Sequence, residues 1–312
     1  MTVNERGLKL IVSNKTKKIL ASSGLLGASL IWGFAFVIVK NAFDLVPTIY
    51  MLAFRFTIAT IALAIIFWKK LGGLNKKIIG EGAILGALLF VSYLLQTEGC
   101  KYTTAGKNAF LTTTYIIIVP FLYWIITRKR PAGYVLIAAF LAIAGIGLLS
   151  LQGNLSINYG DVLTLLCGIG YAIHLVGISK FTKKSDPILL TVLQMFFTAI
   201  FSWIGTIFTG DSFGVITVSM ELVMAMLYLG LMSSAIGFLL QTVCQKYVSP
   251  NVAALLISTE AIFGVVFTTI FLGEVMTTRM IIGCTIILVA IVIIETKLDF
   301  LKRNRARTKA NV

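Results

Sequence analysis

The stretch LLQTEGCKYTTAGKNA, residues 94–109, returns at residues 239–254 as LLQTVCQKYVSPNVAA, an offset of 145 from residue 94 to residue 239. The leucine pairs Leu94/Leu239 and Leu95/Leu240 carry little weight in a chain that is 58% hydrophobic. Gln96/Gln241, Thr97/Thr242, Lys101/Lys246 and Tyr102/Tyr247 carry much more, because each pair is polar and all fall in one register. A looser match at offset 140 sets Pro47 against Pro187, Lys40 against Lys180 and Phe56 against Phe196. The chain therefore reads as two copies of one unit, roughly 19–150 and 159–296.

Composition says what the unit is. Only 12% of the 312 residues are charged, against about a quarter in a soluble domain, and the mean hydropathy is +0.96. Ten apolar segments, about 19–39, 47–68, 80–99, 105–126, 132–150, 159–179, 187–208, 219–241, 251–272 and 277–296, are long enough to cross a bilayer as helices. The expected fold class is an all-α integral membrane protein with ten transmembrane helices. A tail of 1–18 precedes them and a basic tail of 297–312 follows. The connections leave no room for an independent soluble domain.

Lysine and arginine collect in cytoplasmic loops. Here every basic residue except Lys40, Arg55, Lys101, Lys107 and Arg279 falls in a tail or in every second loop, on one face. Both termini are thus expected in the cytoplasm of a bacterial-type cytoplasmic membrane. The net charge of +15, which in a soluble protein would point to nucleic acid, is explained by this topology, and no nucleic-acid partner is expected. Five crossings per copy is an odd number, so the second copy runs upside down relative to the first. Inverted repeats about an axis in the membrane plane are a recurring transporter architecture, because two near-equivalent halves can expose a central site to alternate faces. Cys100, Cys167, Cys244 and Cys284 have no metal-ligand spacing and read as small buried hydrophobes. The phosphate-binding pattern GxxxxGK[ST] is missing. No metal and no cofactor is expected.

WGFAFVIVK (residues 32–40), AFRF (residues 53–56) and FLGEVMTTRMIIG (residues 271–283) resemble the drug/metabolite transporter superfamily, specifically its EamA-like ten-helix members. The resemblance covers residues 25–296 and implies a central cavity with outward- and inward-facing states, lined by spans 1, 3, 4, 6, 8 and 9. It implies carriage of amino acids, metabolites or drug-like compounds. The chain departs from the pattern at Glu260-Ala261, where Glu-Pro is frequent, at Pro120, one turn past the usual proline position held by Ile116, and at Lys129, opposite Glu274.

Ionisable residues inside spans are expensive and usually functional. Glu260, about nine residues into span 9, reads as a proton-coupling or cation-binding carboxylate, or else as a packing anchor. His174, the single histidine, is either a proton-transfer group or a neutral bridge between helices. Arg55 in span 2 is structural or anion-binding, and Met195 and Gln194 near the corresponding place in span 7 do not repeat its charge. Gln96 and Gln241, related by the repeat, either line a cavity or tie helices together. Trp32, Tyr93, Asn108, Tyr115 and Tyr171 offer stacking and hydrogen bonds to a mixed organic solute, or pack helices. Glu98 reads as a solvated end charge, and Gly82–Gly86 as a face for close helix approach.

The expected function is secondary active transport of a small amphipathic organic solute by alternating access, coupled to H+ and directed outward, by a monomer or homodimer surrounded by lipid. An enzyme is not expected. The alternatives are a lipid-modifying membrane enzyme, which needs a gathered acid–base or metal set, and a channel, which needs continuous polar pore faces.

Overall fold

The structure, a computed structural model, describes residues 13–103, 105–150, 157–209, 216–272 and 275–296. Residues 1–12 of the N-terminal tail, the basic tail 297–312 and Glu274 lie outside the described residues. Among the described residues there is no strand. The helices are α1 (Asn14–Ala42), α2 (Thr48–Ile66), α3 (Lys76–Tyr102), α4 (Ala105–Thr112), α5 (Tyr115–Thr127), α6 (Gly133–Ser150) and α7 (Tyr159–Phe181). They continue as α8 (Pro187–Phe208), α9 (Met220–Leu227), a π-helical segment (Tyr228–Ile236), α10 (Gly237–Cys244), α11 (Pro250–Ile257), α12 (Glu260–Leu272) and α13 (Thr278–Thr296). A 3₁₀ turn, Trp68–Gly73, links α2 to α3.

Nine helical stretches among the described residues are long and apolar enough to cross a membrane, and α6, apolar over Gly133–Leu148, supplies the tenth crossing. Span 4 is α4 with α5. Span 8 runs from α9 through the π segment to α10, and span 9 is α11 with α12. Several helices outrun their apolar cores, since the hydrogen-bonded ladder continues into the interface until a cap ends it. Asn158 and Asp161 close a reciprocal capping box at the start of α7 (2.8 and 2.9 Å). Asp186 and Ser249 cap α8 and α11, each followed by a proline at the first helical position.

The packing obeys the inverted repeat. Span 1 of the first half lies on α10, α11 and α12 of the second, and span 6 of the second half lies on α3, α4 and α5 of the first. Spans 2 and 7 pack on one another, as do spans 5 and 10, so each of these elements meets its own counterpart. Such pairing is what a pseudo-two-fold axis requires. One core cluster includes Leu25, Phe56, Leu89 and Val119 of the first half with Leu175, Ala253 and Ile287 of the second. Large apolar side chains such as Ile61, Phe140, Ile204 and Val292 face outward, as a lipid solvent demands. Gly82 and Gly86 bring α3 against Leu193 and Phe197 of α8.

Candidate functional site

Spans 4 and 9 were expected as single helices, and both are interrupted. Thr113 and Thr114 donate side-chain hydrogen bonds back to the carbonyls of Phe110 and Leu111 (2.7 and 2.6 Å). Ser258 and Thr259 do the same to Leu255 and Leu256 (both 2.7 Å). Hydroxyls competing for helix carbonyls bend the ladder. The backbone there tightens to i→i−3 bonds, Thr114 N to Leu111 O and Ile116 N to Thr113 O in span 4, Thr259 N to Leu256 O and Ala261 N to Ser258 O in span 9. Thr114 (φ −56°, ψ −18°) and Ser258 (φ −62°, ψ −12°) sit close to 3₁₀ geometry.

The opposite half closes on each interruption. A methyl group on Gly33 of α1 would lie 2.5 Å from Phe263 Cβ and 3.0 Å from the Glu260 carbonyl oxygen. One on Gly168 of α7 would lie 2.6 Å from Thr114 Oγ1 and 3.1 Å from the Thr112 carbonyl oxygen. Only glycine allows these backbones to touch. The residues that resume the two helices are Tyr115 and Glu260, and they stand at the 145 offset. Sequence reasoning passed over this pairing, although Thr-Thr-Tyr against Ser-Thr-Glu in register was a signal for it.

A cavity of about 100 Å³ lies between the halves, and all ten candidate residues line it: Trp32, Arg55, Tyr93, Gln96, Asn108, Tyr115, Tyr171, His174, Gln241 and Glu260. Its wall also includes Val39, Cys100 and Asn108, each near a helix end at the α1–α2 or α3–α4 turn. The cavity is therefore displaced toward that end of the bundle. At the other end the halves are shut. Ser29 bonds Thr259 (2.7 Å), Gln245 Nε2 donates to the Leu175 carbonyl (3.1 Å), and a methyl on Gly24 would meet Cys244 Sγ at 2.5 Å.

Gln96 and Asn108 bond within the first half and to span 6. Gln96 donates from Nε2 to Thr112 Oγ1 (3.2 Å) and accepts at Oε1 from the Tyr171 hydroxyl (3.0 Å). Asn108 Nδ2 donates to the Gln96 carbonyl (3.0 Å) and to Thr164 Oγ1 (2.8 Å). These bonds join spans 3, 4 and 6, so Gln96 and Asn108 both line the cavity and tie helices together. Glu98, outside the cavity, pairs with Lys101 at 2.8 Å, the solvated end charge expected of it.

His174 is 1% exposed and shares a 2.9 Å hydrogen bond between Nε2 and Gln194 Oε1. Gln194 Nε2 donates onward to Thr242 Oγ1 (3.0 Å). These two bonds link spans 6, 7 and 8 through side chains. At offset 140 Arg55 falls opposite Met195, beside Gln194, so its charge has no counterpart in span 7.

Arg55 is 3% exposed. Its Nε donates to Ser234 Oγ (3.0 Å) and its Nη2 to Ser233 Oγ (2.9 Å), with the guanidinium 4.7 Å from the Tyr93 ring centre. Both serines lie in the π segment, whose Ser233 carbonyl also accepts from Trp32 Nε1 (2.9 Å). π-Helical turns recur at functional sites. No carboxylate pairs with Arg55 among the described residues. The serine pair was missed from the sequence, where two small hydroxyls in an apolar run look like ordinary helix packing.

Glu260 is 8% exposed, at the first turn of α12. Among the described residues its carboxylate has no hydrogen bond and no ion pair. The helix N-terminus favours a negative charge there, while burial within the bundle opposes it. Among the described residues, two buried atoms of cavity-lining residues also lack partners, the Gln241 Oε1 carbonyl and the Tyr115 hydroxyl. Buried polar atoms without partners call for a ligand, an ion or water.

Two five-span halves packed around a cavity lined by aromatic and polar side chains, with lipid-facing side chains outside, define a two-repeat helical membrane transporter. The chain belongs to the EamA-like transporter family, which matches it twice, over residues 19–151 and 158–296. It is 30% identical over 285 residues to an uncharacterized transporter of Archaeoglobus fulgidus, covering 90% of this chain and 87% of that one. It is 23% identical over 273 residues to the uncharacterized transporter YvbV of Bacillus subtilis, covering 86% and 89%. A solved crystal structure superposes with a TM-score of 0.72 at 16% identity, covering 88% of this chain and 96% of that one, a likeness of fold.

Proposed function

We propose that the protein exports a small amphipathic organic solute by alternating access, in exchange for protons. Glu260 carries this reading: an unpaired carboxylate, deep between two inverted halves, facing a cavity closed at one end. A carboxylate so placed binds a proton or a cationic solute, one at a time. That competition is the simplest form of exchange. Interrupted spans near the bilayer midplane are typical of transporter sites, where freed backbone and helix ends meet the cargo.

With the basic face cytoplasmic, the termini lie inside the cell membrane and the cavity is on the outer side. The structure is then the release state. An external proton reaching Glu260 displaces the solute. The neutral site turns inward, gives up its proton and reloads. One chain builds the whole cavity, so a monomer suffices. No cofactor enters the cycle, and H+ is the coupling ion.

The test uses purified protein in proteoliposomes with an imposed pH gradient. Glu260→Gln should abolish proton-driven flux, while the wild type with no pH gradient should still show solute counterflow, which needs no net proton movement. Intact pH-driven flux in that variant removes Glu260 from the coupling step.

A further inference from the structure

We propose that the turns after spans 2 and 6 form one docking site for the headgroup of an anionic phospholipid, shared between the two halves of the chain. The site lies on the basic face and does not depend on which solute the central cavity takes.

The first observation is that the fold joins two basic turns that are remote in sequence. Lys69, Lys70, Lys76 and Lys77 lie in or beside the link from α2 to α3, and all four are exposed. Lys180, Lys183 and Lys184, at the turn from α7 to α8, are exposed as well. Lys70 Nζ lies 2.6 Å from the Asp186 carboxylate, Ser185 donates to Glu81, and a methyl group on Gly73 would touch Leu189 at 3.3 Å. Beneath the turns, Ile78 and Leu85 of the first half share a core cluster with Ile178 and Leu190 of the second. Each half thus supplies part of one basic surface on a packed base.

The second observation is that most of this charge has no partner. Asp186 takes Lys70, and Glu81 takes Lys77 (3.9 Å) and the Ser185 hydroxyl. Among the described residues no carboxylate lies within ion-pair distance of Lys69, Lys76, Lys180, Lys183 or Lys184. Ammonium groups gathered on one surface repel, and an anion set among them relieves the repulsion. The junction itself does not need lysines. At the opposite end of the bundle the repeat-related segments meet through the Thr217 N–H and the Leu45 carbonyl (3.0 Å). Offset 140 sets Thr209, Gly210, Ile216 and Thr217 against the four lysines of the first turn, and Phe43 and Asp44 against Lys183 and Lys184. Topology asks for positive charge on this face, but not for its pooling at a seam between the halves.

The third observation is depth. Trp68 is 65% exposed, next to the exposed Ile65 and Ile66 at the end of α2, and the Lys69 ammonium lies 5.7 Å from its ring centre. An exposed tryptophan at the end of an apolar span marks the level of the headgroups. Lysines at that level meet lipid phosphates, with Ile65 and Ile66 beside the acyl chain. Basic surfaces between spans on the face with excess positive charge suit anionic lipids.

The full chain in phosphatidylcholine nanodiscs tests this, with a minor fraction of brominated phosphatidylglycerol or, in a parallel sample, of brominated phosphatidylcholine. Bromine quenches a tryptophan that the acyl chain touches, and the share of quenching removed by Trp68→Phe belongs to this site. That share should be about threefold or more larger for phosphatidylglycerol, since each lysine near the surface adds about fivefold to the affinity for anionic lipid. Lys183→Gln with Lys184→Gln, and Lys69→Gln with Lys76→Gln, should each bring it down to the phosphatidylcholine level. These four side chains are exposed and outside the ion pairs, so melting temperatures without the brominated lipid should be retained. Lys129→Gln with Arg130→Gln removes the same charge from the turn after span 4 and should leave the quenching of Trp68 unchanged. Equal quenching of Trp68 by the two lipids in the wild type overturns the proposal, and that comparison needs no lysine variant to fold. An equal fall in the span 4 variant overturns it too, because the attraction then belongs to the whole face. Millimolar inorganic phosphate should leave the phosphatidylglycerol excess in place; its loss would mean that the surface takes free phosphate and not a lipid.

Discussion

The interruptions of spans 4 and 9 are alike in construction and unlike in what they hold. Both are made by two hydroxyl side chains bonding back to i−3 carbonyls, and both are clasped by a glycine of the other half. Beyond the break stands Tyr115 in one and Glu260 in the other. Their neighbours differ in the same sense. Gln96 has both ends of its amide engaged, and the carbonyl oxygen of its repeat partner Gln241 has no partner among the described residues. α3 runs as an unbroken α-helix, while its counterpart, span 8, carries the π segment that holds Arg55. Symmetry supplies a joint that can exist in two related arrangements. In the second copy the Glu260 carboxylate and the Gln241 carbonyl have no partner among the described residues, while Gln96 and Asn108 of the first join spans 3, 4 and 6.

The largest expected effect lies where the two copies differ most. Glu260→Gln should eliminate pH-driven flux, as above, whereas Tyr115→Phe should change flux by no more than about tenfold, the worth of one neutral hydrogen bond. Comparable losses in both variants, measured side by side in proteoliposomes, would break the division of labour.

Next come the clasps, where the copies should behave alike. Gly33→Leu and Gly168→Leu each force a side chain into backbone contact, and overpacking of this kind costs about 1–3 kcal/mol. Melting temperatures should fall together for the two variants. A large fall for one alone would show that only one of the joints is tightly closed in the state adopted here. Smaller still is the effect of the back-bonding hydroxyls. The double variants Thr113→Ala with Thr114→Ala and Ser258→Ala with Thr259→Ala let the spans straighten, and the i→i−4 backbone bonds that form then offset the hydroxyl bonds lost. Turnover should slow in both while the melting temperature moves little. An unchanged rate in the span 9 variant would mean that the interruption is scaffold and not hinge.

Much of this was legible in the chain because membrane solvation leaves a strong signature. Charges inside apolar runs stand out, so Arg55, His174 and Glu260 announced themselves, and the 145 offset exposed the repeat since a polar residue in a span is kept only where it has a use or a partner. The interruptions were not legible: Thr and Ser tolerate a helix as easily as they bend one, and the outcome depends on which carbonyl each hydroxyl reaches. Nor were the Ser233 and Ser234 contacts with Arg55, which depend on the rotation of span 8 about its axis, set by packing and not by hydropathy. Gln96 and Gln241 show the limit well. Identical letters at equivalent places differ in function because their neighbours, Thr112 and Tyr171 on one side, have no equivalents on the other.

The smallest expected effect is at the rim, where the copies differ in charge but not in the site. Lys70 of the link after span 2 pairs with Asp186 at the start of span 7 (2.6 Å). The position equivalent to Asp186 at offset 140 is Val46, which has no charge to offer. Partial burial raises the Asp186 carboxyl, but Lys70 and the Ile188 and Leu189 N–H groups outweigh it, holding the group below its usual range. A lowered folded value means that the stabilisation is present at neutral pH, above the unfolded value near 4, and is lost as pH falls through the folded value. Lys70→Met should therefore lower stability by only a few tenths of a kcal/mol at pH 7, because both partners are partly exposed. The deficit should vanish in acid, where the wild type has lost the same contribution. Thermal melts of the two proteins from pH 7 down to 3 would show the curves converging, and curves that stay parallel would mean that Lys70 acts through its alkyl packing rather than through its charge.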